Sequence, residues 1–182
     1  LATEASKFIA DHKQSPFLVY FPFYSVHTPL MARADLQQKY EAKRKLLSEV
    51  DQFGEEPPRK VRLTQDHAIY GGMVEAMDQA VGKVLAALDE HGLAKNTLVI
   101  FTSDNGGLST SEGSPTSNLP LRAGKGWLYE GGTREPLLVR WPGVIPANSV
   151  SATRVISPDF FPTILEAAGL PLQPDNHRDG VS

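Results

Sequence analysis

The sequence predicts an α/β fold, and three observations carry that expectation. Residues 17–24 and 97–103 form continuous apolar runs dense in aromatic and β-branched residues, and residues 136–141 form a third. Such runs are strands, the first two buried on both faces. Helical periodicity fills the stretches before and between them. The order helix, short turn, buried strand builds a mixed, mostly parallel sheet flanked by helices.

Each element follows from its residues. Residues 3–13 set Phe8 and Ile9 among good helix formers, which predicts a short helix. Residues 35–49 are charged on most faces and predict a solvated surface helix. Pro57 and Pro58 make residues 54–60 a loop. Between 64 and 91, Ile69, Met73, Met77, Val81, Val84, Leu85 and Leu88 recur at helical spacing. Thr64 or Asp66 offers a cap for that helix, and Gly92 follows its end. Residues 106–120, rich in Gly, Ser, Thr and Pro, predict a long mobile loop. Ser157-Pro158-Asp159 opens the last helix, with Ser at the N-cap, Pro at the first position and an acid in the first turn. That helix stops at Gly169, and residues 170–182 form a polar, loose tail.

Composition narrows the function. A chain of 182 residues suits one domain with one core. Its 18 Lys and Arg stand against 21 Asp and Glu, for a net charge of −3. Neither a basic footprint for nucleic acid nor a polybasic membrane patch is present. The longest apolar stretch, residues 16–26, falls far short of the ~20 residues of a membrane-spanning helix. Zero Cys removes disulfides, thiolate metal sites and cysteine nucleophiles together. The chain opens Leu-Ala-Thr-Glu-Ala, with neither an initiator Met nor a signal peptide. It is expected to be a piece of a longer protein, with any targeting segment upstream.

In open α/β sheets, ligands bind beyond the carboxyl ends of the strands. Two predicted strands end in polar residues there: Ser25-Val26-His27-Thr28 after the first, and Asp104-Asn105-Gly106-Gly107 after the second. Asp104 and Asn105 supply a carboxylate and an amide carbonyl, hard oxygen donors suited to Ca²⁺ or Mg²⁺. Asn-Gly is equally a turn sequence, and two ligands fill only part of the shell of a Ca²⁺ ion. His27 is a candidate proton donor or anion contact, or else a loop histidine held against Pro29. Lys125, flanked by Gly124 and Gly126, offers a compact positive charge to an oxyanion, or else sits solvated in a glycine-rich loop. The segment fits neither a P-loop nor a dinucleotide fingerprint, because residue 119 is Leu and residue 129 is Tyr. Glu130 and Arg134 are spaced as a structural ion pair. No role is assigned to His12, His67, His91 or His177.

Four of these motifs, in this order, resemble the sulfatase (arylsulfatase) family of the alkaline-phosphatase-like superfamily. They are Phe17-Leu-Val-Tyr-Phe with His27-Thr-Pro; Tyr70 with Met77-Asp78 and Val81-Gly82; Thr97 through Gly106; and Gly124-Lys-Gly with Tyr129-Glu-Gly-Gly-Thr-Arg-Glu-Pro136. The resemblance spans about residues 8–169 and implies part of one large catalytic domain. It also implies that His27 contacts the sulfate group and assists the leaving oxygen. Asp104 and Asn105 would be two oxygen ligands of a single Ca²⁺, and Lys125 would bridge the sulfate and the leaving oxygen. Residues 160–169 would form a structural helix. The implied substrate is a small-molecule or saccharide sulfate ester, and the implied location is periplasmic or secreted.

One departure qualifies the resemblance. Family members carry a C/S-x-P-x-R motif whose Cys or Ser becomes formylglycine, the nucleophile. This chain has no Cys, and neither Ser114-Pro115 nor Ser157-Pro158 fits that pattern. The formylglycine and the remaining metal ligands are expected upstream, so the chain alone is expected to be inactive. Two rival readings stay open: a phosphate or phosphonate ester hydrolase of the same superfamily, and a non-catalytic Ca²⁺-binding α/β module. Asn105 separates the first, since those enzymes typically place His there, and imidazole favours a transition metal.

Overall fold

The computed structural model describes residues 1–48 and 50–182, in two compact units, Leu1–Val139 and Arg140–Ser182. In the first unit, helices α1 (Ala2–Asp11) and α2 (Ala34–Arg44) pack on α3 (Ala68–Glu90). Ile9, Leu36, Met73, Ala87 and Leu88 are buried there. The periodicity of α3 explains this layer, because Met73 and Leu88 fall on its inward stripe. The helix is capped one residue later than its sequence suggests. His67 Nδ1 accepts the Tyr70 N–H at 3.3 Å, which leaves the Thr64 hydroxyl to the Asp51 carbonyl. Helix α2 ends at Arg44, and Glu49, the expected last residue, lies outside the described residues.

Residues 54–60 are not a simple loop. Strands β1 (Phe53–Glu56) and β2 (Arg59–Arg62) form an antiparallel hairpin with Phe53 opposite Arg62 and Glu56 opposite Arg59. Pro57 and Pro58 occupy its turn, the one place where their missing N–H groups cost no ladder bond. The second ladder joins β3 (Val99–Thr102) to β4 (Leu137–Arg140), within two of the apolar runs. Residues 17–24 join no ladder among the described residues. Their burial alternates instead: Phe17, Val19, Phe21 and Phe23 are half-buried, while Leu18, Tyr20 and Tyr24 are exposed.

The 106–120 segment lacks helix and strand, but it is packed rather than loose. Ser109, Thr110, Ser114, Pro115, Thr116 and Ser117 are all buried. Their polar groups are satisfied internally, as burial requires. Gln65 accepts from the Thr116 hydroxyl at 2.9 Å and donates to the Ser117 carbonyl at 2.5 Å. Arg62 binds the Ser114 carbonyl and the Asp66 carboxylate, with the Phe53 ring 4.7 Å from its guanidinium carbon. Asp66 also accepts from Gln52 at 2.8 Å. Arg62 and Asp66 side chains are only 8% and 7% exposed, so removing one partner strands a buried charge. Asp66→Ala should therefore lower the unfolding free energy by about 3–5 kcal/mol. Urea denaturation checks it, and a loss below about 1 kcal/mol would contradict it.

In the second unit, a single 3₁₀ turn (Ser157–Asp159) leads into α5 (Phe160–Ala167), which buries Pro162 and Leu165. Asp159 rather than Ser157 stands at the N-cap position of α5, with no side-chain bond to the helix's own N–H groups. Its carboxylate accepts the Ile156 and Val181 N–H groups, each at 2.9 Å. These two bonds hold the Asp159 carboxyl below the usual carboxylate range. Val181, in the polar tail, is thereby tied to the start of the helix.

Candidate active site

His27 lies three residues beyond Tyr24, and its backbone N–H donates to the Tyr24 carbonyl at 2.9 Å. The imidazole makes two short contacts: Nδ1 to the Thr28 carbonyl at 2.7 Å, and Nε2 to Lys125 Nζ at 2.8 Å. A carbonyl only accepts, so Nδ1 carries the proton and Nε2 presents its lone pair to the ammonium. The Tyr24 ring lies 5.5 Å from the imidazole. Two candidates separated by 98 residues thus meet directly.

Lys125 is held by the turn that follows Asp104 and Asn105. Its N–H donates to the Gly107 carbonyl at 3.1 Å, and the Gly106 N–H donates to the Gly132 carbonyl at 3.2 Å. The backbones approach so closely that side chains are excluded. A Cβ on Gly106 would overlap the Gly131 carbonyl, and one on Gly124 would overlap the Gly107 carbonyl. Asn118 seals the junction, its amide donating to the Gly107 and Ala123 carbonyls at 2.8 Å each. The Asp104–Asn105 turn and the Lys125 loop are therefore one rigid piece. Ser103 Oγ donates to the Asn105 carbonyl at 2.9 Å, fixing the turn from the strand side.

Further anchors hold the lysine loop. Trp127 Nε1 donates to Thr110 Oγ1 at 2.8 Å, and its ring stacks on Tyr129 at 6.0 Å. Arg122 lies 3.8 Å from the centre of the Tyr129 ring and grips Glu56 of β1 through two guanidinium nitrogens. That pairing keeps the Glu56 carboxyl below its usual range. Glu130 and Arg134 form the expected ion pair at 3.2 Å, on the single helical turn α4 (Glu130–Thr133).

Two residues enter the site that its sequence does not mark. Glu112 Oε2 accepts from the Thr28 hydroxyl at 2.7 Å. Glu135 sits beside Asp104, and its Oε1 is buried without a hydrogen-bond partner. Burial first, and the Asp104 charge second, push the Glu135 carboxyl above its usual range. A charged residue in Arg134-Glu135-Pro136 carries no signal of its own; only its neighbour does. An orphaned carboxyl oxygen within electrostatic reach of a second carboxylate is chemistry that suits a hard divalent cation, and Asn105 adds an amide at the adjoining sequence position. Among the described residues no cluster of three or more His, Asp or Glu side chains completes such a shell. These residues fit a metal site in part.

Known proteins resemble the chain throughout. The sulfatase family model matches residues 1–170. A sulfatase from Formosa agariphila is 43% identical over 179 residues, which are 92% of this chain and 29% of that protein. Rat steryl-sulfatase is 38% identical over 186 residues, 99% of this chain and 28% of its own length. The crystal structure of the PsFucS1 sulfatase from Pseudoalteromonas sp. superposes with a TM-score of 0.73 at 28% identity, covering all of this chain and 32% of that one. The chain thus spans under a third of each relative, and its α/β fold is a portion of the alkaline-phosphatase-like one. With the family's motifs in order and that fold beneath them, this chain belongs to the sulfatase family.

Proposed function

We propose that the whole protein hydrolyses a sulfate monoester of a small molecule or saccharide, and that these 182 residues form part of its one catalytic domain. The 2.8 Å contact between Lys125 Nζ and His27 Nε2, on a turn fused to Asp104–Asn105, carries this reading. A sulfate ester is an anion, and breaking its S–O bond loads further negative charge on the leaving oxygen. Fixed positive charge placed where that develops lowers the barrier. Lys125 has three N–H bonds; one goes to His27 and two remain for sulfate oxygens. The Thr28 carbonyl keeps the imidazole from turning away. His27 acts as a general acid in the form that carries a proton on Nε2 as well; Nε2–H then leaves the Lys125 ammonium, faces the leaving oxygen and passes it that proton.

Asp104 and Asn105 would hold a Ca²⁺, with Glu135 within electrostatic reach of Asp104. When bound, the ion adds positive charge against the sulfate oxygens. The formylglycine nucleophile and the other metal ligands belong to chain outside these residues, so the isolated piece should turn nothing over. Asp104→Ala in the full-length protein should raise the Ca²⁺ needed for half-maximal sulfate turnover about tenfold or more, since ligand charge sets affinity. Unchanged Ca²⁺ dependence would remove Asp104 from the metal.

A further inference from the structure

We propose that Glu112 is a positioning residue for His27, acting through Thr28, and that the tip of the 106–120 segment is therefore part of the active site. Thr28 is the hinge of this inference. Its carbonyl accepts from His27 Nδ1 at 2.7 Å and from the Tyr24 hydroxyl at 3.0 Å. Its own hydroxyl donates to Glu112 Oε2 at 2.7 Å, across 84 residues of sequence. The atom that selects the imidazole tautomer thus belongs to a residue pinned by Glu112. Displacing Thr28 turns the ring and takes Nε2 away from Lys125.

The segment is built to present that carboxylate. Its flanks are buried and bonded to Gln65, Arg62 and Asn118, while Glu112 and Gly113 stand exposed at the tip. Glu112, Gly113 and Ser114 have φ of +49°, +85° and +44° in succession. Left-handed backbone is costly for Glu and Ser, which carry a Cβ, and such strain persists only where the surroundings enforce it. The packed flanks enforce it here and aim the tip at Thr28. An exposed hydrogen bond adds little to stability, so a merely structural Glu112 would be nearly silent.

The test uses the full-length protein, and only its turnover readout rests on the sulfatase reading above. Glu112→Ala should lower kcat about tenfold with KM changed far less, because orientation rather than affinity is lost. Glu112→Gln, whose amide oxygen still accepts from Thr28, should recover most of the rate. Thr28→Val should match Glu112→Ala, and the double variant should be no worse than either single one. The ¹⁵N signals of the His27 ring should show one Nδ1–H tautomer in the wild type and a mixture in Glu112→Ala. Wild-type kcat in Glu112→Ala would overturn the proposal. So would Glu112→Gln as impaired as Glu112→Ala with the tautomer intact, since the carboxylate would then act elsewhere. Absence of sulfate turnover in the wild type would refute the reaction. The ring signals still decide Glu112 in that case, and one tautomer in both proteins overturns it.

Discussion

Lys125→Ala in the full-length protein should cut sulfate-ester turnover about 10²–10³-fold, the cost of losing one preorganised donor to a developing oxyanion. The ammonium is in direct contact with His27, so its loss removes charge from the sulfate position and leaves Nε2 without this partner. The fold should survive, because the loop is fixed by backbone and neighbours: the Lys125 N–H on Gly107, Asn118 on Ala123, and Trp127 on Thr110. Lys125→Arg should rescue little, since a planar fork cannot replace a compact ammonium 2.8 Å from an imidazole nitrogen. Steady-state kinetics beside a circular dichroism spectrum checks both halves. Turnover within about threefold of wild type would take Lys125 out of the chemistry.

Gly106→Ala should be the most damaging small substitution in the site. The added methyl would overlap the Gly131 carbonyl, which is backbone and cannot swing aside as a side chain would. The Asp104–Asn105 turn and the Lys125 loop must then separate, and overpacking of this kind costs about 1–3 kcal/mol or more. Stability, Ca²⁺ response and turnover should fall together, because one junction serves all three. Gly82→Ala is the matched control. It adds the same methyl inside α3, where nothing lies within 4 Å, and should stabilise the helix by about 1 kcal/mol. A Gly106→Ala protein with wild-type melting and turnover would mean the junction is softer than its geometry.

What the sequence made legible is what depends on local pattern. Helix α3 follows from apolar spacing, and β3 and β4 from apolar runs bounded by polar or glycine-rich stretches. The hairpin escaped because its buried residues are charged. Glu56 is covered by pairing with Arg122, and Arg62 by pairing with Asp66, so no apolar alternation betrays either strand. The 106–120 segment has a loop's composition, yet its hydroxyls are satisfied by Gln65, Asn118 and backbone, and satisfaction permits burial. Residues 17–24 show the reverse: apolar content suggests a doubly buried strand, while Tyr20 stands 86% exposed.

The site divides in the same way. His27, Lys125, Asp104 and Asn105 stand out through family motifs and strand ends. Their convergence is tertiary, and no spacing in the chain announces a contact between residues 27 and 125. Glu112 and Glu135 were invisible because their significance lies wholly in a neighbour, Thr28 for one and Asp104 for the other.

The most direct test sets 4-nitrophenyl sulfate beside 4-nitrophenyl phosphate with the full-length protein, before and after chelation of Ca²⁺. The sulfate should be turned over in preference, lose its turnover on chelation, and regain it when Ca²⁺ is restored. Preference for the phosphate, or sulfate turnover indifferent to the chelator, would contradict the assignment of Lys125, His27 and the Asp104–Asn105 turn to calcium-assisted sulfate-ester hydrolysis.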